Sequence, residues 1–145
     1  MEYAVEAAQR TDLKILGITI LTSHNQESFN KEIGISGSIS DKVVELALRA
    51  EKIGLAGVVA SPKEAAHLRR FLKPETLIVT PGIKPDWMAK REDQARVTTP
   101  SDAIKAGADY IVVGSAIYKS PNPVEAVDRI VAEIEEAFEE RNLEE

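Results

Sequence analysis

The sequence predicts an α/β protein of four parallel βα units preceded by a short helix. Three observations carry this. Four short runs rich in β-branched residues, at 14–22, 56–60, 76–80 and 109–114, are almost continuously apolar. That pattern suits strands buried on both faces of a parallel sheet. Amphipathic stretches with helix caps separate the runs, and strict strand–helix alternation implies βα crossovers. An open four-stranded sheet with helices on both faces and one half of an eight-stranded barrel both satisfy this alternation.

Each element has a local reason. Residues 2–9 are rich in Ala and Glu and read as the leading helix, broken at Thr11-Asp12. The run KILGITILT over 14–22 is the first strand. Residues 24–38 are polar, with Gly34 and Gly37, and read as a long loop. Ser40-Asp41 is placed to cap a helix over 41–53, whose apolar positions follow a helical period, and Gly54 ends it. After the strand AGVVA at 56–60, Ser61 and Pro62 supply a cap and a first-turn proline for a helix running to about Leu72. TLIVT at 76–80 is the third strand, followed by a loop from Pro81 to Arg96. Thr99-Pro100-Ser101 opens a helix that stops at Gly107, and DYIVVG at 109–114 is the fourth strand. Pro121-Asn122-Pro123 leads into a last helix over 123–141.

Composition excludes several function classes. The chain of 145 residues suits one domain, 1–145. Its net charge of -6, with acids dispersed, argues against a nucleic-acid binder, which needs a basic face for phosphates. There is no cysteine, which removes disulfides, thiolate catalysis and zinc–thiolate sites. The opening MEYAVEAAQR is no signal peptide, and no apolar run approaches the ~20 residues that span a bilayer. The expectation is a cytoplasmic protein with no membrane partner.

In parallel βα folds ligands bind at the carboxyl ends of the strands. Here those ends are Thr22-Ser23-His24, Ala60-Ser61, Thr80-Pro81-Gly82 and Gly114-Ser115. Three of the four present a hydroxyl or a glycine that allows close approach. Such residues equally suit strand termination and helix capping, and for Ser61 the following Pro62 favours the cap.

Four segments occur together and in order: Leu21-Thr22-Ser23, Thr80-Pro81-Gly82-Ile83, Asp93-Gln94-Ala95-Arg96-Val97-Thr98-Thr99-Pro100 and Gly107-Ala108-Asp109-Tyr110-Ile111-Val112-Val113-Gly114. In combination they closely resemble the C-terminal half of orotidine 5'-phosphate decarboxylase, over nearly the whole chain. The resemblance implies half of a (βα)8 TIM barrel and a ligand of the nucleotide-monophosphate class. The reaction it implies converts orotidine monophosphate to uridine monophosphate without a cofactor. It implies that Ser23 hydrogen-bonds the pyrimidine, that Pro81 packs near the base, and that Gln94 reaches the phosphate. It also implies that the backbone N–H groups around Gly114 cradle that phosphate.

Two departures from the family pattern stand out. The family has Arg directly after the last strand, where this chain has Ser115. A charged fork becomes one neutral hydroxyl. Such a charge-assisted bond is worth roughly 1.5–3 kcal/mol, so phosphate affinity should fall about tenfold to a hundredfold. Arg96 and Lys119 are read as solvated surface charges. The second departure is that no stretch reads as Asp-x-Lys-x-x-Asp, the network whose Lys protonates the vinyl carbanion in that family. Lys14 lies at the wrong end of its strand, and Lys84 with Asp86 sits in a loop. No catalytic residue is therefore assigned, the missing segment is expected to precede Met1, and the chain is expected to be inactive alone.

His67 reads as a surface or packing residue, and His24 lacks partners for a metal site. Trp87 and Met88 read as loop packing. A half-barrel leaves two sheet edges and one apolar face open. A homo-oligomer through those edges is the expected partner arrangement. The competing reading is a non-catalytic, phosphate-binding or self-assembling half-barrel. A sugar-phosphate aldolase-like barrel is weaker, since it would give the Leu-Thr-Ser segment no purpose.

Overall fold

In the computed structural model, which describes residues 1–88 and 98–144, four strands form one sheet in the order β1-β2-β3-β4. They are β1 (Leu16–Ile18), β2 (Gly57–Val59), β3 (Leu77–Pro81) and β4 (Tyr110–Val112), and every pairing is parallel. The helices are α1 (Glu2–Ala8), α2 (Gln26–Lys31), α3 (Ile39–Ile53), α4 (Pro62–Arg69), α5 (Pro100–Lys105), α6 (Ser115–Tyr118) and α7 (Pro123–Glu144). A 3-10 turn covers Asp86–Met88.

The strand order follows chain order, so all crossovers lie on one side of the sheet. Helix α3 packs on α4, α4 on α5, and α5 on α7, making a single helical layer. Val58 and Ile78 face that layer and are fully buried with Val43, Ala47 and Leu68. Ile111 and Val113 join a second cluster with Ile83, Ala103 and Ala108. Side chains alternate across a strand. The paired row Ile18, Val59, Val79 and Tyr110 therefore points the other way. Exposure along this row is 9% at Val79 in the middle of the sheet, against 68% at Ile18 and 54% at Tyr110 on its edges. An apolar row uncovered at both rims is the inner wall of a barrel cut in half.

The structure corrects several sequence expectations. β1 pairs only over Leu16–Ile18, because its neighbour β2 leaves the sheet at Ser61-Pro62 and offers no longer partner. The chain still follows β2 briefly, with Thr19 donating from both N–H and hydroxyl to the Val59 carbonyl. Residues 24–38 are not all loop. Asn25 and Ser28 form a reciprocal capping box that starts α2, and Phe29 anchors it with no exposed surface. Helix α3 begins at Ile39 with Ser38 as its cap, two residues before the expected start. The Gln26 carboxamide accepts the Ile39 N–H at 3.0 Å and fixes that earlier beginning. Gly54 ends α3 as expected, at φ 91°, a conformation that favours glycine. The α-helix of α4 stops at Arg69, and the residues to Leu72 continue as turns onto the Leu68 carbonyl.

The amino end of the sheet is tied by Arg69. Its guanidinium donates to the Gly107 carbonyl at 3.2 and 2.9 Å, to the Thr76 carbonyl at 2.9 Å and to the Asp109 carboxylate at 2.5 Å. The same Asp109 oxygen accepts the Ile78 N–H at 2.7 Å. Arg141 of α7 adds bonds to the Ile104 and Ala108 carbonyls. No helix among the described residues is long and apolar enough to cross a membrane.

Candidate ligand site at the carboxyl end of the sheet

The carboxyl ends of β1, β2 and β3 open into a cavity of about 490 Å³. Each strand delivers its wall for a local reason. β1 ends in a turn, closed by the His24 N–H donating to the Leu21 carbonyl, that presents Thr22, Ser23 and His24. Two residues past β2, Ser61 both caps α4 through the Lys63 N–H and lines the cavity. β3 ends at Pro81, and Gly82, at φ 78°, turns the chain away. The bridge between Ile83 and Thr98 then closes the base of the following connection. Asn25, the N-cap of α2, and Ile39 and Val43 of α3 wall the cavity beside β1. Gln26 and Asn30 fold the 32–38 segment back onto α2 through the Gly37 and Ile35 carbonyls.

Of the residues singled out in the sequence, Ser23 and Pro81 face this cavity together. Gly114 and Ser115 stand beyond it, at the carboxyl end of β4, and are exposed. Gly114 is the N-cap of α6, a one-turn helix that the sequence reading missed. A Cβ there would make only ordinary contact, 3.7 Å from Tyr118 Cε1. The N–H groups of Ser115 and Ala116 lie in the first turn, where a helix has no internal acceptors for them. Gln94 and Arg96 lie outside the described residues.

The other candidates divide. His24 faces the cavity, with Nδ1 3.3 Å from the Ser28 hydroxyl. His67 packs edge-on against Phe71 at 5.1 Å, the packing role expected of it. Lys84 and Asp86 do not line the cavity, and Lys14 stands at the amino end of β1. Lys119 is exposed, 5.8 Å from the Tyr118 ring. Trp87 packs under the Arg129 guanidinium of α7, 4.3 Å from ring centroid to Cζ. Sequence reasoning missed Lys63 and Glu64, the charged pair on the cavity wall at the start of α4.

The resolved ionisation shifts sit away from the cavity. The Thr76 hydroxyl and the Lys73 N–H both donate to Glu51 and hold its carboxyl below the usual range. A hydrogen bond to Glu140 raises Lys105 above its ordinary value. The carboxyl-end pocket combines hydroxyls and backbone with His24, Lys63 and Glu64, while the partly buried Arg69–Asp109 pair ties the amino end.

An inner apolar wall, one helical layer and a ligand cavity at the strand ends define the class: half of a parallel (βα)8 barrel. The family model described as Orotidine 5'-phosphate decarboxylase / HUMPS family matches residues 1–130. The orotidine 5'-phosphate decarboxylase of Nitrobacter winogradskyi is 47% identical over 138 residues, covering 95% of this chain and 57% of that protein. That of Syntrophomonas wolfei is 47% identical over 122 residues, covering 83% and 51%. Among solved structures, orotidine 5'-phosphate decarboxylase from Lactobacillus acidophilus superposes with a TM-score of 0.70 at 31% identity. It spans 86% of this chain and 50% of its own. The chain belongs to the orotidine 5'-phosphate decarboxylase / HUMPS family, and it spans about half the length of the curated relatives it matches.

Proposed function

We propose that this chain is the ligand-gripping half of an orotidine 5'-phosphate decarboxylase. The observation that carries the reading is the meeting of Ser23 and Pro81 in one cavity at the carboxyl end of the sheet, in a chain of this family. In the reaction the bond from the pyrimidine ring to its carboxylate breaks, carbon dioxide leaves, and the carbon left with the electron pair takes a proton. This half supplies binding rather than that proton. Ser23 holds the pyrimidine edge and Pro81 packs on the base. Gln94, the amides at the start of α6 and the Ser115 hydroxyl take the phosphate. Binding energy from the phosphate, remote from the reacting carbon, orients and holds the ring for chemistry elsewhere in the site. The proton donor comes from a complementary half carrying the Asp/Lys network.

The test is turnover of orotidine monophosphate, followed by absorbance, with this chain alone and mixed with the N-terminal half of a relative. No turnover alone and turnover on mixing is the expected result. Turnover by the chain alone, surviving repurification, refutes the division of labour and turns attention to Lys84 and Asp86.

The uncovered row favours a second reading, a half-barrel that assembles with itself. Ile18, Tyr110 and Val112 are each more than half exposed on the inner face and its edges. Two copies would set β4 of one beside β1 of its partner, both parallel, and cover both edges. Sedimentation at micromolar concentration tests this. A monomer there, or an oligomer unaffected by Ile18→Lys and Tyr110→Lys, rejects self-assembly.

A further inference from the structure

The loops after β3 and β4 leave neighbouring strands and then converge again on α7. After β3 the chain passes the Ile83–Thr98 bridge, buries Pro85 fully, and enters the 3-10 turn that carries Trp87. After β4 it runs through α6 into a turn at Ser120–Asn122. The Ser120 N–H donates to the Ile117 carbonyl, continuing α6. The Ser120 hydroxyl donates to the Asn122 carbonyl and accepts the Asn122 N–H. Asn122 then accepts the N–H groups of Glu125 and Ala126 at the start of α7. Trp87, Ser120, Asn122, Glu125 and Arg129 line one cleft of about 250 Å³. Arg129 reaches over the Trp87 ring at 4.3 Å. The cleft is therefore where the β3 loop and the end of the β4 loop both meet α7, and the Trp87–Arg129 pair joins the β3 loop to that helix.

We propose that Trp87 and Arg129 are positioning residues that hold the β3 and β4 loops in mutual register, so that phosphate affinity depends on their stacking. This inference rests on the proposed function, in which both loops contribute to one phosphate site. Neither residue touches the ligand. A guanidinium stacked on an indole is a directional contact, so its loss frees the 3-10 turn from α7 without emptying the core.

Trp87 is the only tryptophan in the chain, so its emission reports on this cleft alone. The experiment titrates uridine monophosphate, inorganic phosphate and uridine into the purified chain, by calorimetry and by fluorescence. Uridine monophosphate and inorganic phosphate are expected to shift the Trp87 emission, and uridine to leave it unchanged. Arg129→Met, which keeps the aliphatic stem, is expected to weaken both phosphate ligands about threefold to tenfold. Arg129→Lys, which keeps a cation but not the planar guanidinium, is expected to recover part of that loss. Should circular dichroism find Arg129→Met unfolded, Trp87→Leu removes the other partner and is expected to give the same weakening. Unchanged affinity for uridine monophosphate in the folded variant overturns the inference and leaves the proposed function standing. Absence of any binding to the unmodified chain overturns the proposed function, and this inference falls with it.

Discussion

Arg69→Met should be the most damaging single change outside the hydrophobic core. The guanidinium makes four hydrogen bonds, to Gly107, Thr76 and Asp109, and both it and the Asp109 side chain are only 26% exposed. Methionine fills the stem's volume but donates nothing. Asp109 keeps the Ile78 N–H, while its charge loses its partner and two carbonyls lose donors. A charge-assisted bond is worth roughly 1.5–3 kcal/mol, and breaking a fully buried pair costs about 3–5 kcal/mol. Partial exposure and shared acceptors bring the sum below additivity, to about 3 kcal/mol. With a urea slope of about 2 kcal/mol/M, the midpoint should fall by about 1.5 M. The melting temperature should fall by about 6–12 °C. Urea unfolding followed by circular dichroism measures both. A loss below about 1 kcal/mol, or full recovery in Arg69→Lys, would refute the assignment of this geometry as the sheet's main polar tie.

Three further predictions follow from other contacts. Glu51 is held below its ordinary range when folded, so its contribution is full above the unfolded value and disappears as pH falls through the folded one. The stability difference between the unmodified chain and Glu51→Gln should therefore be constant above about pH 5 and shrink below about pH 4. A difference that grows on acidification contradicts this. The Thr80 hydroxyl is fully buried with no hydrogen-bond partner among the described residues, so Thr80→Val should raise stability by about 1 kcal/mol in thermal melts. A loss would show that the hydroxyl is satisfied. Ser115→Arg should tighten uridine monophosphate by about tenfold or more, most clearly at low salt. Equal affinities in calorimetry would remove the phosphate from the start of α6.

The architecture was legible because its signals are local. Ser61-Pro62, Thr99-Pro100 and Gly54 mark helix ends through their own backbone chemistry, and the structure keeps all three. The elements that escaped depend on long-range or cryptic partners. Helix α2 hangs on an Asn25–Ser28 box, a less familiar pairing than Ser or Thr with Glu, and on one buried Phe29. The start of α3 is set by Gln26, thirteen residues earlier. β1 is short because β2 is short, which no window around 14–22 reveals. Ser23 and Pro81 meet because β1 and β3 flank β2, a consequence of sheet order. The tie between Arg69 and Asp109 crosses forty residues, and the sequence holds no sign of it beyond two charges.

The placement of that tie has a consequence for how the protein can change. Arg69, Asp109 and Arg141 secure the amino end of the sheet, while Ser23, His24, Ser61 and Pro81 line a cavity at the opposite end. Under the proposed function, most residues that tie the sheet differ from those that meet the ligand and lie a strand's length from them, with Ser61 and Val43 serving both. The cavity wall can be rewritten, residue by residue, while the foundation beneath it keeps its strength, and a new specificity can be tried without first being rescued from unfolding.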